Sequence, residues 1–194
     1  MNSTRVLLNL LHYHNVHFVI YFRLGMGEDV DSLPRFKIHP FFNDKDIVSV
    51  CAGGLHNLAL TKNGKIYSWG CNDEKALGHS GAAYEICLVE GLDDKKIVQI
   101  ACGDSISAAL TDEGHVYAWG TFRDSRGVLG FDEVTEMQAR PKLMEALLKF
   151  KVVHIAAGAN HLVALTKNDK IYSWGSGERG QVSIVSMMMM LMLS

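Results

Sequence analysis

The apolar positions of this chain repeat in three copies of one pattern, each built from short runs of β-branched or small apolar residues. The first copy, 47–70, has the sequence IVSVCAGGLHNLALTKNGKIYSWG. Its residues 47–51 predict a buried strand, HNLALT predicts a second, and KIYSW alternates polar and aromatic residues as a half-buried strand does. Asn63-Gly64 lies between the last two runs and predicts a turn, because this pair readily takes positive φ.

The second and third copies span 97–120 and 152–175. One tryptophan marks the same place in each copy, and the spacings between them are 50 and 55 residues: Trp69, Trp119 and Trp174. One glycine lies 16 residues before each tryptophan: Gly53, Gly103 and Gly158. A constant unit at a period near 50, with connectors of varying length, indicates a repeat architecture in which each unit stacks on its neighbours.

Three β-segments per copy, without helical periodicity, exclude a helical solenoid, and the period is too long for leucine-rich repeats. Four-stranded blades around a central channel fit best, so the predicted fold class is all-β, a partial β-propeller of about three repeats. The fourth strand of each blade is expected in the connectors. The connector LMEALLKF has helix-like apolar spacing and predicts either a short helical turn or an outer strand.

The repeats divide the chain into three predicted parts. Residues 1–23 do not share the pattern, residues 24–181 hold the repeats, and residues 182–194 form a low-complexity tail rich in methionine. The repeat cassettes are 47–78, 97–130 and 152–181. The apolar run before the repeats contains HYHNVH, and both it and the tail are shorter than the roughly 20 residues of a membrane span. We therefore expect no membrane segment.

Composition narrows the function classes. The chain is 48% hydrophobic and 21% charged with a net charge of −2, so it carries no basic field for nucleic acid or membrane. Its four cysteines include no Cys-x-x-Cys pair, which argues against zinc, and we predict buried free thiols in a reducing compartment, Cys51 and Cys102 among them. His56 and His161 recur at one repeat position, which favours packing over metal binding.

No sequence motif indicates bond-making chemistry. Neither a Ser–His–acid order, nor a pair of catalytic carboxylates, nor a phosphate-binding loop is evident. The sequence therefore predicts a protein that is not an enzyme with its own active site, and that uses no cofactor, metal or small-molecule substrate.

One connector is longer than its counterpart. Six residues separate Gly70 from Leu77, whereas eight separate Gly120 from Leu129. The two extra residues predict a projecting tip, FRDSRG at 122–127, and long loops often carry function. A phenylalanine and two arginines on one projecting tip suit contact with a protein partner. A solvated variable loop is the alternative.

The cassette AGGLHNLALTKNGKIYSWGCNDEKALG at 52–78 and the string WGTFRDSRGVLG at 119–130 resemble the regulator of chromosome condensation family, whose propeller has seven blades. The resemblance covers 24–181 and implies a propeller cut short at both ends. It also implies a guanine-nucleotide exchange factor for the nuclear GTPase Ran, associated with nucleosomal chromatin. A nuclear location follows from the same resemblance, with the cytoplasm as the alternative.

The resemblance also implies which residues contact the GTPase. A wedge-like projection in the family corresponds here to Phe122, Arg123, Asp124, Ser125, Arg126, Gly127, Val128 and Leu129. An acidic residue at a strand tip of the second cassette corresponds to Asp104. Two positions depart from the family pattern: Ile106 replaces a histidine, and Asn160 replaces an aspartate on the expected GTPase-facing surface.

Two functions therefore remain open at the level of sequence. The FRDSRG tip favours a Ran exchange factor, which binds the nucleotide-free GTPase more tightly than the loaded form and thereby weakens nucleotide binding. The replacement of the family's aspartate by Asn160 and of its histidine by Ile106 favours the alternative, a non-catalytic propeller that serves as a protein-interaction scaffold.

Overall fold

The computed structural model describes residues 24–25, 35, 38–82, 85–125, 127–128, 137–178 and 180. The predictions for 1–23 and for the tail at 182–194 lie outside these residues, as do those for Arg126 and Leu129. No helix in the described ranges is long and apolar enough to cross a membrane.

The described residues form short strands and two 3₁₀ turns, at Pro40–Phe42 and Glu145–Leu147. The strands are β1 (Ile47–Ala52), β2 (His56–Thr61), β3 (Ile66–Gly70), β4 (Cys87–Leu88), β5 (Ile97–Cys102), β6 (Ile106–Thr111), β7 (Val116–Gly120), β8 (Arg123–Asp124), β9 (Gly127–Val128), β10 (Gln138–Leu143), β11 (Val152–Gly158), β12 (His161–Thr166) and β13 (Ile171–Gly175).

Three antiparallel sheets correspond to the three repeats. The first has the order β1-β2-β3-β4, the second β5-β6-β7-β10, and the third β11-β12-β13, so the prediction of an all-β, partial propeller is confirmed. The fourth strands of the first two blades come from the connectors, as predicted. The connector LMEALLKF forms the predicted short helical turn at Glu145–Leu147, whereas the outer strand β10 lies before it and ends at its first residue, Leu143.

The three tryptophans occupy the same register in their sheets. Trp69 lies opposite Asn57, Trp119 opposite Ser107, and Trp174 opposite Leu162. In each sheet, the pair joins the second residue of the second strand to the fourth residue of the third strand. Trp119 packs in a core shared by the first two blades, and Trp174 packs in a core shared by the second and third. Each of these two residues therefore fills the space between its own blade and the preceding one.

The inner tips of the blades stack through their backbones. A Cβ on Gly103 would lie 2.5 Å from the carbonyl oxygen of Gly158, so only glycine allows the two tips to approach this closely. The amide of Gly54 donates to the carbonyl of Asp104 at 3.2 Å, and the amide of Asp104 donates to the carbonyl of Ala159 at 2.7 Å. The recurring glycines therefore have the close-packing role that the sequence indicated.

The prediction of free thiols is wrong for Cys51 and Cys102, which the structure joins in a disulfide with their Cα atoms 5.9 Å apart. Cys51 is the fifth residue of β1 and Cys102 the sixth residue of β5, one position apart in the repeat, and the stacking of the first two blades brings them side by side. Cys71 and Cys87 are free and partly buried, and burial raises the pKa of each thiol.

A buried histidine links the first two blades. His56 is 2% exposed, and its Nε2 lies 2.8 Å from the hydroxyl oxygen of Ser107, which in turn donates to the carbonyl of Ala76 at 2.8 Å. At the next interface Ile106 and Leu162 stand in the corresponding positions, and both are buried in one apolar core. The replacement of histidine by Ile106 is therefore matched by an apolar partner.

Burial of His56 predicts a specific pH dependence of stability. Desolvation lowers its pKa from 6.5 to about 4, and a bond with the backbone of Asp104 offsets this only in part. The His56 ring binds a proton more readily in the unfolded chain than in the folded one. The free energy of unfolding is therefore highest above pH 6.5 and falls as the pH drops toward 4, by up to about 3 kcal/mol. His39 and His79 act in the same direction, because burial lowers the pKa of each.

Urea denaturation of the parent and of His56→Ile at pH 7 and pH 4.5 tests this dependence. The variant copies the residue of the second blade and should lose less stability between the two pH values than the parent does. Equal losses in the two proteins would show that His56 does not carry the effect.

Candidate functional site

One end of the blade stack brings five of the ten predicted contact residues together around an open depression of about 540 Å³. Its lining comprises Asp104, Arg123, Asp124, Ser125, Ala159, Asn160, His161, Ser176 and Glu178. We call it the site depression. It lies across the second and third blades, so Asp104 and the projecting tip share one end of the propeller, as the sequence predicted.

The backbone holds Asp104 rigidly while its side chain is exposed. It occupies the tight turn between β5 and β6, and its amide donates to the third blade. Burial of the flanking Gly103 and Ser105 fixes the turn further. The carboxylate therefore stands at a defined place on the rim, where it is available to a partner.

The longer connector forms a small β-hairpin rather than an irregular loop. Arg123 of β8 lies opposite Val128 of β9, and Asp124 lies opposite Gly127. Gly127 has φ of 120°, a conformation that other residues rarely adopt, which explains the glycine at the end of DSRG. We call the described residues 123–125 and 127–128 the hairpin. Its sequence predicted the projection but not the strand pairing.

The prediction that Phe122 offers an exposed apolar contact is wrong. Its side chain is 2% exposed and packs in the core between the second and third blades. An apolar ring beside such a core gains roughly 1.5–3 kcal/mol by entering it, which explains its inward position. Phe122 thus anchors the base of the hairpin, and the projecting part begins at Arg123.

Side chains from neighbouring blades contact the hairpin at three points. Asn160 accepts a hydrogen bond from the backbone amide of Arg123 at 3.0 Å, and the Arg123 guanidinium forms an ion pair with Glu74. Glu178 accepts from the backbone amide of Ser125 at 2.9 Å and also from its hydroxyl.

Sequence reasoning missed Glu74 and Glu178. Both stand a few residues after the repeat tryptophan, in the connectors that correspond to the hairpin connector. A comparison of those three connectors was the signal that could have identified them.

The chemistry of the site depression suits binding rather than bond making. Three carboxylates line it, those of Asp104, Asp124 and Glu178, together with the guanidinium of Arg123. Such a surface complements a polar partner that carries exposed basic groups. Across the described ranges, no three His, Cys, Asp or Glu side chains converge on a point where they could hold a metal ion.

A family model described as RCC1-like domain matches residues 21–190. The chain is 41% identical over 188 residues to the regulator of chromosome condensation of Drosophila melanogaster, a match of 84% of this chain and 29% of the relative. The human protein of the same name is 41% identical over 165 residues, with 84% and 38% covered. The Saccharomyces cerevisiae guanine nucleotide exchange factor SRM1 is 31% identical over 195 residues, with 82% and 40% covered.

Solved structures agree with these relatives. The crystal structure of Prp20p from Saccharomyces cerevisiae, described with its binding properties to Gsp1p and histones, superposes with a TM-score of 0.78 at 31% identity. The superposition covers 89% of this chain and 43% of Prp20p. The chain therefore spans about a third of the length of these three curated relatives, and less than half of this solved neighbour.

Proposed function

The chain belongs to the RCC1-like domain family, and we propose that it contributes to guanine-nucleotide exchange on a Ran-type nuclear GTPase at chromatin. The observation that carries the proposal is the convergence of Asp104 and the hairpin on one depression. Relatives at 31–41% identity include a named guanine nucleotide exchange factor and Prp20p, which is described as binding Gsp1p, a Ran GTPase, and histones.

The proposed mechanism is differential binding without a covalent step. The site depression binds the nucleotide-free GTPase more tightly than the nucleotide-loaded form, and by thermodynamic reciprocity it weakens nucleotide binding by the same factor. The hairpin supplies the projecting shape, and the carboxylate of Asp104 supplies a negative charge for a basic group of the partner. No covalent bond is formed or broken in either protein.

Asn160 makes one of the two contributions that an aspartate would make at this position. Its Oδ1 accepts the hydrogen bond from the amide of Arg123 at the base of the hairpin. An aspartate at this position would accept the same bond and add a negative charge to the rim. The amide therefore preserves the shape of the depression while reducing its charge.

The direct test is release of a fluorescent guanine nucleotide from Ran, with the 194-residue chain added in substoichiometric amounts. We expect accelerated release by the parent chain. Deleting Ser125 and Arg126, which shortens the connector to the length found in the first blade, should reduce the acceleration at least roughly 10-fold, because a central contact at an interface contributes 2 kcal/mol or more.

Circular dichroism of the shortened variant is the control, and it should match the parent because the deletion leaves Phe122 in the core. A parent that fails to accelerate release contradicts the proposed function. An active parent whose shortened variant is equally active contradicts the assignment of the hairpin.

A second function, that of a non-catalytic interaction module, is favoured by one specific observation. The chain is also 37% identical over 166 residues to the human E3 ubiquitin-protein ligase HERC2, a protein named for a different activity. The same repeats thus occur in proteins that are not named as exchange factors. Binding of Ran or nucleosomes without accelerated release would support this alternative.

A further inference from the structure

We propose that Glu74, Asn160 and Glu178 form a clamp that holds the hairpin in one fixed position, and that they are positioning residues for nucleotide exchange. The inference rests on the proposed function, because the hairpin matters only if a partner meets it. It adds the two carboxylates, which no sequence motif marks, and gives Asn160 a role other than partner contact.

The hairpin needs outside support. β8 and β9 have two residues each and pair only with one another among the described strands. A two-stranded hairpin is marginally stable in water even when it is much longer. Its fixed position must therefore come from contacts with the rest of the protein.

Those contacts come from both neighbouring blades. Glu74 follows β3 of the first blade and pairs with the Arg123 guanidinium, while Glu178 follows β13 of the third blade and bonds to Ser125. The side chain of Glu74 is only 18% exposed, so its pair with Arg123 is less screened by water than an ordinary surface pair. The hairpin of the second blade is thus fixed from both sides.

The third contact fixes the base. Asn160 holds the backbone amide of Arg123, one residue after the buried Phe122. Base, flank and tip are therefore each attached to a different element: Asn160 at the base, Glu74 on the flank and Glu178 at the tip.

Fixing the hairpin before binding lowers the entropy lost when the partner docks, because a loose loop would have to be ordered at that moment. It also changes the expected role of Arg123. Since its guanidinium is engaged by Glu74, Arg123 belongs to the support of the hairpin, as does Ser125, whose amide and hydroxyl are bonded to Glu178.

The test compares Glu178→Ala, Glu178→Gln and Glu74→Ala with the matched control Glu113→Ala, whose carboxylate lies in the turn between β6 and β7. Amide hydrogen exchange at Ser125, followed by NMR, should become roughly 10-fold faster in Glu178→Ala, because the amide loses a charge-assisted acceptor. Glu178→Gln retains an oxygen acceptor and should restore most of the protection. Melting midpoints should stay at the parent value throughout.

Nucleotide release from Ran, measured on the same proteins, should slow roughly 5- to 10-fold in Glu178→Ala and Glu74→Ala and remain unchanged in Glu113→Ala. Unchanged Ser125 exchange in Glu178→Ala would overturn the clamp, whether or not the parent is active. A loosened hairpin with unchanged release in an active parent would overturn the positioning role alone. An inactive parent would overturn the proposed function and the positioning role together, while the Ser125 data would still decide whether the clamp exists.

Discussion

Replacing Trp119 by alanine is expected to lower the free energy of unfolding by about 4 kcal/mol. The indole is fully buried between the first and second blades, so truncation leaves a large cavity at an interface that each blade needs for its own stability. Its Nε1 also donates to the carbonyl of Ala76 at 2.8 Å, and that buried acceptor would lose one of its two donors. Urea denaturation of the 194-residue chain measures the loss.

Trp174→Ala is the matched control. It stands at the same register position in the third blade, is 7% exposed, and its buried Nε1 finds no hydrogen-bond acceptor among the described residues. Its truncation should therefore cost less than that of Trp119. Trp119→Phe, which keeps a ring but removes the donor, should fall between the parent and Trp119→Ala. An equal or larger loss in Trp174→Ala would contradict the argument from burial and hydrogen bonding.

Replacing Asp104 by alanine is expected to slow nucleotide release from Ran roughly 30-fold, which corresponds to about 2 kcal/mol. The carboxylate is exposed at the rim of the site depression, whereas the backbone of Asp104 carries the bonds to the neighbouring blades. Removing the carboxylate should therefore remove a partner contact and leave the fold intact. Fluorescent-nucleotide release measures the rate, with thermal melting as the control for folding.

Asp112→Ala provides the matched comparison, because Asp112 is an exposed carboxylate in the turn at the other end of the same blade. It should leave release unchanged. If Ran releases nucleotide as fast with Asp104→Ala as with an active parent, the assignment of Asp104 fails. An inactive parent contradicts the proposed function of this chain and favours the interaction module. Asn160→Asp, which returns a carboxylate to the rim and keeps the hydrogen bond to Arg123, then tests whether the missing charge accounts for the inactivity.

The strands could be predicted closely because the sequence presents the same unit three times. The observed β1, β2 and β3 each start or end within a residue of the predicted runs, and the turn at Asn63-Gly64 lies where expected. In the third copy Asp169 takes a φ of 59° at the position that glycine holds in the other two. Cross-strand pairing therefore prevailed over the local preference of that residue.

The errors share a physical cause. Phe122 is buried, Cys51 meets Cys102, and Glu178 reaches Ser125 because separate blades are stacked beside one another. Local patterns indicate which residues form a strand, but they contain no information about which side chains of adjacent repeats come into contact. The position of Asp104 beside the hairpin was nevertheless predictable. Asp104 follows β5 and the hairpin follows β7, and these two strands run in the same direction and end on the same side of one sheet.

At the blade tips, hydrogen bonds between backbone groups hold neighbouring blades together and leave side chains for recognition. Many sites use the same groups for both roles. Gly54, Asp104 and Ala159 occupy one equivalent position in the three blades, yet their side chains are a hydrogen atom, a carboxylate and a methyl group. Peptide groups link these three positions, so the side chain can change in the second and third blades without breaking those bonds, whereas a Cβ at Gly54 would lie 3.0 Å from the carbonyl oxygen of Asp104. A propeller built in this way can diversify its surface one blade at a time, and new recognition can arise on an unchanged scaffold.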